Sequence, residues 1–301
     1  MAPTGRFAPS PTGTLHLGNL RTALASWLSV KARGGRWLVR IEDVDRPRCQ
    51  ANLAEAQVRD LATLGLESDG PIEMQSRREG LYRAALARLH EAHALYPCVC
   101  TRKDLASMAS APHAEDGLRP YPGRCRGRSW EGFEAALRVR LPEGEVAWED
   151  LALGPQRDDP ARLTGDPLLF RRDGLFAYHL AVVVDDGEQG VTEVVRGKDL
   201  RSVTATQIRL QEALGLPRPA YAHLGLVTSA DGSRLGKRSR AVGLPELQAR
   251  GVAVTEILGW LGFSLGCLDW PEPCAAADLL TRFDWARVPK GEVAVPARFQ
   301  G

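Results

Sequence analysis

The chain has 301 residues, 44% of them hydrophobic and 25% charged. These are ordinary proportions for a globular protein, and the length suffices to bury most apolar surface without disulfide staples. Lys and Arg number 39 against 37 Asp and Glu, a net charge of +2. This excludes a histone-like basic tail, so a polyanionic partner has to be held by local patches. No apolar run reaches 18 residues and the opening MAPTGRFAPSPTG does not read as a signal peptide, so no membrane span and a cytoplasmic location are expected. The six Cys then point to metal binding or plain packing in a reducing compartment.

Residues 5–8 read as a short strand, followed by the non-helical turn PSPTG. Leu20, Ala23, Leu24, Trp27 and Leu28 share one face of an amphipathic helix that Gly34-Gly35 ends. Residues 36–41 form a second strand, with Glu42 and Asp43 at its carboxyl end. This spacing predicts a parallel sheet with a right-handed crossover, and ligands in such sheets bind beyond the carboxyl ends of the strands. The loop from Ala8 to Asn19 and the pair Glu42-Asp43 both belong there. Helices are expected around 52–64 and 79–95, the latter with Tyr82, Ala85, Leu86 and Leu89 on one face. From Tyr96 to about Glu149 the chain is rich in Cys, Pro and Arg with weak periodicity, an insertion rather than sheet core. LFAYHLAVVVDD, 175–186, reads as a buried strand. The tail from about 241 reads as mostly helical, with Ile257, Trp260 and Leu261 inward. The expected organisation is 1–95 and 166–230 as two halves of one sheet-based domain, 96–165 as an insertion, and 231–301 as a basic loop with a helical tail.

Three motifs carry chemistry. In TGTLHLGNL, 12–20, a His-x-Gly at a helix mouth offers backbone N–H groups and the positive dipole end to an anion, with His16 as a further donor and Gly18 letting a flat ligand approach. In SRLGKRSRA, 233–241, Lys237 sits in a Gly-containing basic loop suited to clamping phosphate charge in a transition state. In PCVC…YPGRC, Cys98, Cys100 and Cys125 lie close in sequence, and Zn2+ takes four tetrahedral ligands. Each motif alone also fits a plainer reading: a capped helix, an exposed basic loop, three buried thiols.

In order along the chain, GRFAPSPTGTLHLGNLRTAL, RWLVRIEDVDRPR, DGLFAYHLAVVVDD, VRGKDL and RLGKR resemble the glutamyl-tRNA synthetases. These are class I aminoacyl-tRNA synthetases, in which a "HIGH" and a "KMSKS" motif bracket ATP. The resemblance implies an α/β Rossmann-type catalytic domain. It implies that His16 and Asn19 contact the phosphates of ATP, which brings Mg2+. Lys237 would stabilise the pentacoordinate phosphate as the amino-acid carboxylate attacks. Arg6, Phe7, Ala8, Pro9 and Ser10, with Glu42, Tyr178 and Arg196, would hold L-glutamate. The physics agrees, since two guanidinium groups suit a dicarboxylate and a carboxylate suits an ammonium. Two positions depart from the motifs: Asn19 stands where His or Gly is common, and Gly236 where Ser is usual, with Arg238 closing the second motif.

Only about sixty residues follow the second motif, which resembles the truncated branch of that family, the glutamyl-Q tRNA(Asp) synthetases. The branch implies activation of glutamate without tRNA and transfer to queuosine at the wobble position of tRNA(Asp), by a monomer. It also implies one structural Zn2+ on Cys98, Cys100 and Cys125 with Tyr121 as fourth ligand, His113 being the alternative. Cys49, Cys267 and Cys274 lack ligand spacing and are expected to pack. A short glutamyl-tRNA synthetase charging a 3′ end, or a non-catalytic RNA-binding paralogue, are the competing readings.

Overall fold

In a computed structural model of the chain, residues 2–101, 104, 120–129, 135–229 and 242–300 are described. Strand β1, Thr4–Phe7, and β2, Arg36–Ile41, lie parallel with Arg6 beside Leu38. Helix α1, Leu17–Lys31, crosses between them. Leu20, Ala23, Leu24 and Leu28 of α1 are fully buried, on the face the apolar spacing marks. The opposite side is covered too, by helix Val254–Ser264, so α1 runs through the core instead of along the surface.

A buried cation fixes that second contact. Arg21 donates from Nε to Ser264 Oγ at 3.1 Å, from Nη1 to the Gly225 carbonyl at 2.9 Å and from Nη2 to the Ser264 carbonyl at 2.9 Å. Burial without a carboxylate lowers its pKa to about 10, so it stays charged at neutral pH, satisfied by dipoles alone.

The main sheet has the order β3-β2-β1-β9-β10-β6-β7, where β3 is Glu73–Met74, β6 Val146–Asp150, β7 Gly154–Asp158, β9 Glu193–Gly197 and β10 Ala220–Leu224. Every neighbouring pair is parallel except β6 with β7. The chain leaves β1 toward β2 on one side and returns through β9 on the other. The crevice between the carboxyl ends of β1 and β9 is therefore a topological switch point. Helices α2, Ala51–Thr63, and α3, Glu79–Glu91, occupy the expected segments. A second, antiparallel sheet of β4, Leu95–Cys98, β5, Ala136–Val139, and β8, Leu168–Phe170, shares a hydrophobic core with α3. Strands β11, Val227–Thr228, and β12, Val293–Ala294, tie the tail to the main body.

Three expectations need correcting. The segment 175–186 is not a strand: Tyr178–Glu188 is a helix, buried from Leu180 to Asp186. A helix packed on all sides shows no polar stripe, so its Val-rich run cannot be told from a buried strand by periodicity. The region 96–165 is not all insertion either, because β6 and β7 extend the main sheet. The tail is only partly helical: Leu244–Ala249 and Val254–Ser264 are followed by short 3-10 turns. Among the described residues no helix is long and apolar enough to cross a membrane.

Helix Val254–Ser264 approaches the chain at Glu272 so closely that a Cβ on Gly259 would fall 2.1 Å from the Glu272 carbonyl oxygen. Gly259→Ala is expected to destabilise the fold by roughly 1–3 kcal/mol, read as a lower midpoint in urea unfolding with little change in slope.

Candidate active site

A crevice of about 670 Å3 opens at the switch point, within the range of roughly 300–1,000 Å3 usual for small-molecule sites. Its floor is the end of β1 and the loop that follows, from Arg6 to Ser10; its walls carry Glu42, Tyr178 and Arg196; its rim carries His16 and Asn19. Ten residues singled out in the sequence thus line one cavity. The loop is held from behind. Glu42 N–H donates to the Pro9 carbonyl at 2.9 Å, and Gln57 Nε2 of α2 donates to the carbonyls of Ser10 and Gly13 at 3.1 and 2.8 Å.

The helix mouth is built differently from the open anion nest expected. His16 is the N-cap of α1, and its Nδ1 accepts from the N–H groups of Gly18 and Asn19 at 3.1 and 3.3 Å. The Asn19 carbonyl oxygen in turn accepts from the His16 N–H at 3.1 Å. The two side chains close a capping box, so these backbone donors are already used. Because Nδ1 is an acceptor, the ring proton of the neutral imidazole sits on Nε2, and Asn19 keeps its amide N–H2. Side-chain donors therefore stand at the rim in their place. Burial lowers the His16 pKa, only partly opposed by Asp199, which keeps the ring neutral. The capping role also accounts for Asn at position 19, where a glycine could not close the box.

Both arginines of the crevice are buried and held. Arg6 donates from Nε to Asp186 Oδ1 at 3.1 Å. Arg196 donates from Nε to His223 Nε2 at 3.0 Å, from Nη1 to Gln207 Oε1 at 2.6 Å and from Nη2 to Thr204 Oγ1 at 2.7 Å. Glu42 is paired with Arg40 at 3.2 Å. Burial raises the Glu42 pKa, against the pull of Arg40 and Arg6. Tyr178 opens the helix Tyr178–Glu188, and burial likewise raises its pKa.

Lys237, Gly236 and Arg238 lie outside the described residues, but both flanks of their segment sit at the rim. Leu226 and Val227 line the crevice, and Gly243 pairs as a β-bridge with His16. The metal-ligand candidates form their own cluster at the second sheet, apart from the residues that line the crevice. The Sγ atoms of Cys98, Cys100 and Cys125 lie within 4.8 Å of one another. Tyr121 Oη is 3.6 Å from Cys98 Sγ and 3.9 Å from Cys100 Sγ, and Cys100 and Cys125 are 3.7 Å apart. Four ligand atoms about a tetrahedral Zn2+ at roughly 2.3 Å from sulfur stand about 3.5–3.8 Å apart, so the cluster fits such an ion. Burial pushes the Cys125 thiol up, but hydrogen bonds from Tyr121, Val99, Cys100 and Cys98 outweigh it and bring the pKa to about 7. His113 lies outside the described residues.

A family model for the catalytic domain of class I tRNA synthetases of the E and Q type matches residues 4–291. The chain belongs to that family. It is 47% identical to the glutamyl-Q tRNA(Asp) synthetase of Symbiobacterium thermophilum, over 97% of this chain and 96% of that one. It is 46% identical to the enzyme of the same name from Chromobacterium violaceum, over 97% of each. Among solved structures, a glutamate tRNA ligase from Elizabethkingia meningosepticum, in complex with its amino acid, superposes with a TM-score of 0.84 at 26% identity, covering 99% of this chain and 68% of that one.

Sequence reasoning missed several residues the site depends on. Gln57 pins the loop, and Asp199 lines the crevice near His16. Asp199 stands inside the VRGKDL block and so had a signal, whereas Gln57 had none beyond its place on α2.

Asp60 of α2 lies close to Glu246, which caps Gly243 behind the rim. Burial and then Glu246 raise its pKa from 3.8 to about 6, against Arg59. A carboxyl group that folding pushes upward opposes folding once ionised. The penalty is absent below about pH 4, grows between pH 4 and 6, and is complete above. Asp60→Asn should therefore stabilise the protein at pH 7.5 by on the order of 1–2 kcal/mol after allowance for solvent screening, and by nothing at pH 3.5, in paired urea titrations.

Proposed function

We propose that this protein forms glutamyl-adenylate from L-glutamate and ATP and transfers the glutamyl group to queuosine in tRNA(Asp). The observation that carries the reading is the convergence of Arg6, Glu42, Tyr178 and Arg196 on one crevice whose rim is the His16–Asn19 box. In the first step an α-carboxylate oxygen attacks the α-phosphorus, and pyrophosphate leaves. The two arginines bind carboxylate, Glu42 binds the ammonium group, and the Nε2–H of His16 and the amide of Asn19 donate to phosphate oxygens. Lys237 stabilises the negative charge that grows on the phosphate in the transition state, so catalysis is positioning plus electrostatics without a protein nucleophile. In the second step a hydroxyl of the queuosine cyclopentenediol attacks the glutamyl carbonyl and AMP leaves. Mg2+ enters with ATP as part of that substrate. The names of relatives at 42–51% identity support the queuosine acceptor, and a cytoplasmic monomer is consistent with it.

Glutamate-dependent ATP–pyrophosphate exchange without tRNA is the direct assay. Lys237→Ala should slow it by a factor of about 100 or more, equivalent to roughly 3 kcal/mol of activation. Labelled glutamate should then enter tRNA(Asp) carrying queuosine and not the same tRNA lacking it. Label at a 3′ adenosine instead would establish a glutamyl-tRNA synthetase, and absence of exchange a non-catalytic paralogue.

The cluster at the second sheet we read as a structural Zn2+ site of Cys98, Cys100, Tyr121 and Cys125, supported by the spacing of its four ligand atoms. Zinc there would cross-link β4 to the 121–125 turn. Metal analysis is expected to give about one zinc per chain, with Cys98→Ser or chelation lowering both the metal content and the melting temperature.

A further inference from the structure

The crevice arginines differ in what stands behind them, and behind Arg196 lies a chain of groups that no substrate reaches. His223 of β10 is fully buried. Its Nδ1 is 2.5 Å from Asp150 Oδ2, and its Nε2 faces the Arg196 Nε–H at 3.0 Å. Asp150, the last residue of β6, is buried too, and its second oxygen accepts from the N–H groups of Ala152, Leu153 and His223 at 3.0–3.2 Å. A guanidinium donates only, so Nε2 has to present its lone pair to Arg196 and the ring proton has to sit on Nδ1, where the Asp150 carboxylate takes it.

We propose that Asp150 and His223 are positioning residues for substrate binding: Asp150 fixes the tautomer of His223, and His223, with Thr204 and Gln207, fixes the guanidinium of Arg196 so that its two remaining N–H groups meet a carboxylate of the amino-acid substrate. Three of five guanidinium donors are spent on the protein, which leaves two for the ligand. The ring stays neutral through the working range, since burial and Arg196 outweigh Asp150 and hold its pKa near 4. The proposal rests on the glutamate-activating reading above.

Asp150→Asn is the informative change because it keeps the shape. Three backbone N–H groups demand the amide oxygen on their side, so the amide N–H2 faces His223 Nδ1. The ring proton is driven to Nε2, donor against donor with Arg196. In glutamate-dependent ATP–pyrophosphate exchange the variant should show a KM for glutamate at least tenfold higher, with the KM for ATP and kcat within about twofold of the parent. Thr204→Val, which removes the acceptor for Nη2, should move the same constant in the same direction, and Thr204→Ser should restore it; this pair decides the matter if Asp150→Asn does not fold. A folded Asp150→Asn with the parent's KM for glutamate would overturn the proposal and leave the activity standing. So would equal losses in both KM values, which mark general disruption. A parent without glutamate-dependent exchange would overturn the activity itself, and this proposal with it.

Discussion

One guanidinium that never meets water organises the part of the crevice that carries Arg6 and Glu42. Arg40 of β2 is 0% exposed. It donates to Gln189 Oε1 at 2.7 Å and pairs with Glu42 at 3.2 Å, Asp186 at 2.8 Å and Asp185 at 3.9 Å. Asp186 is shared with Arg6, and Asp185 with Arg78, Gln75 and the Tyr82 hydroxyl. Three cations, Arg6, Arg40 and Arg78, therefore face three anions, Glu42, Asp185 and Asp186, at the junction of β1, β2, α3 and the helix Tyr178–Glu188. Replacing such a cluster by apolar groups can be neutral, but removing one member strands a buried charge, at a cost of about 3–5 kcal/mol. The cluster therefore constrains the fold and the site together. The same charges that dock the helix hold Arg6 and Glu42 at the crevice.

The balance within the cluster is uneven, and this bears on ligand binding. Burial pushes the Asp186 carboxyl up, but Arg6 and Arg40 pull it down further, so it is firmly ionised. Glu42 ends with a raised pKa because burial outweighs Arg40 and Arg6. A carboxylate in that condition gains from a cation placed beside it, and an ammonium group entering the crevice supplies one. The site thus favours a ligand that carries both signs of charge, the character of a free amino acid.

How much of this was legible in the sequence depended on how local the cause was. The first βαβ unit was, because the apolar spacing of α1 and the run RWLVRI at 36–41 each match a single element. Most crevice residues were too, because strand-end loops place them at carboxyl ends of parallel strands, while Tyr178 had only its motif block. The helix Tyr178–Glu188 was not, since burial of every residue from Leu180 to Asp186 erases its periodicity. Nor was the pairing of β6 with β10, which rests on a short contact between Tyr221 and Asp150 some seventy residues apart. His16 was read as a phosphate donor, whereas the use its Nδ1 serves in the structure is that of an N-cap. His223 gave no signal, being a lone His in an apolar strand whose meaning appears only once β6 and β9 stand on either side of it.

That tertiary placement separates the roles of the two crevice arginines. Arg6 lies against a carboxylate, so much of its field is cancelled at the distance of an ion pair. Arg196 is surrounded by a neutral imidazole, an amide and a hydroxyl, and the nearest anion on that side, Asp150, stands behind the ring. A positive charge thus faces the crevice at Arg196, whereas Arg6 contributes mainly fixed hydrogen-bond donors. Long-range attraction for an incoming carboxylate follows from the first, and shape recognition from the second. Had a carboxylate stood in the place of His223, the geometry could have been the same but the attraction would have been spent inside the protein. A neutral histidine gives the orientation of an ion pair without its neutralisation.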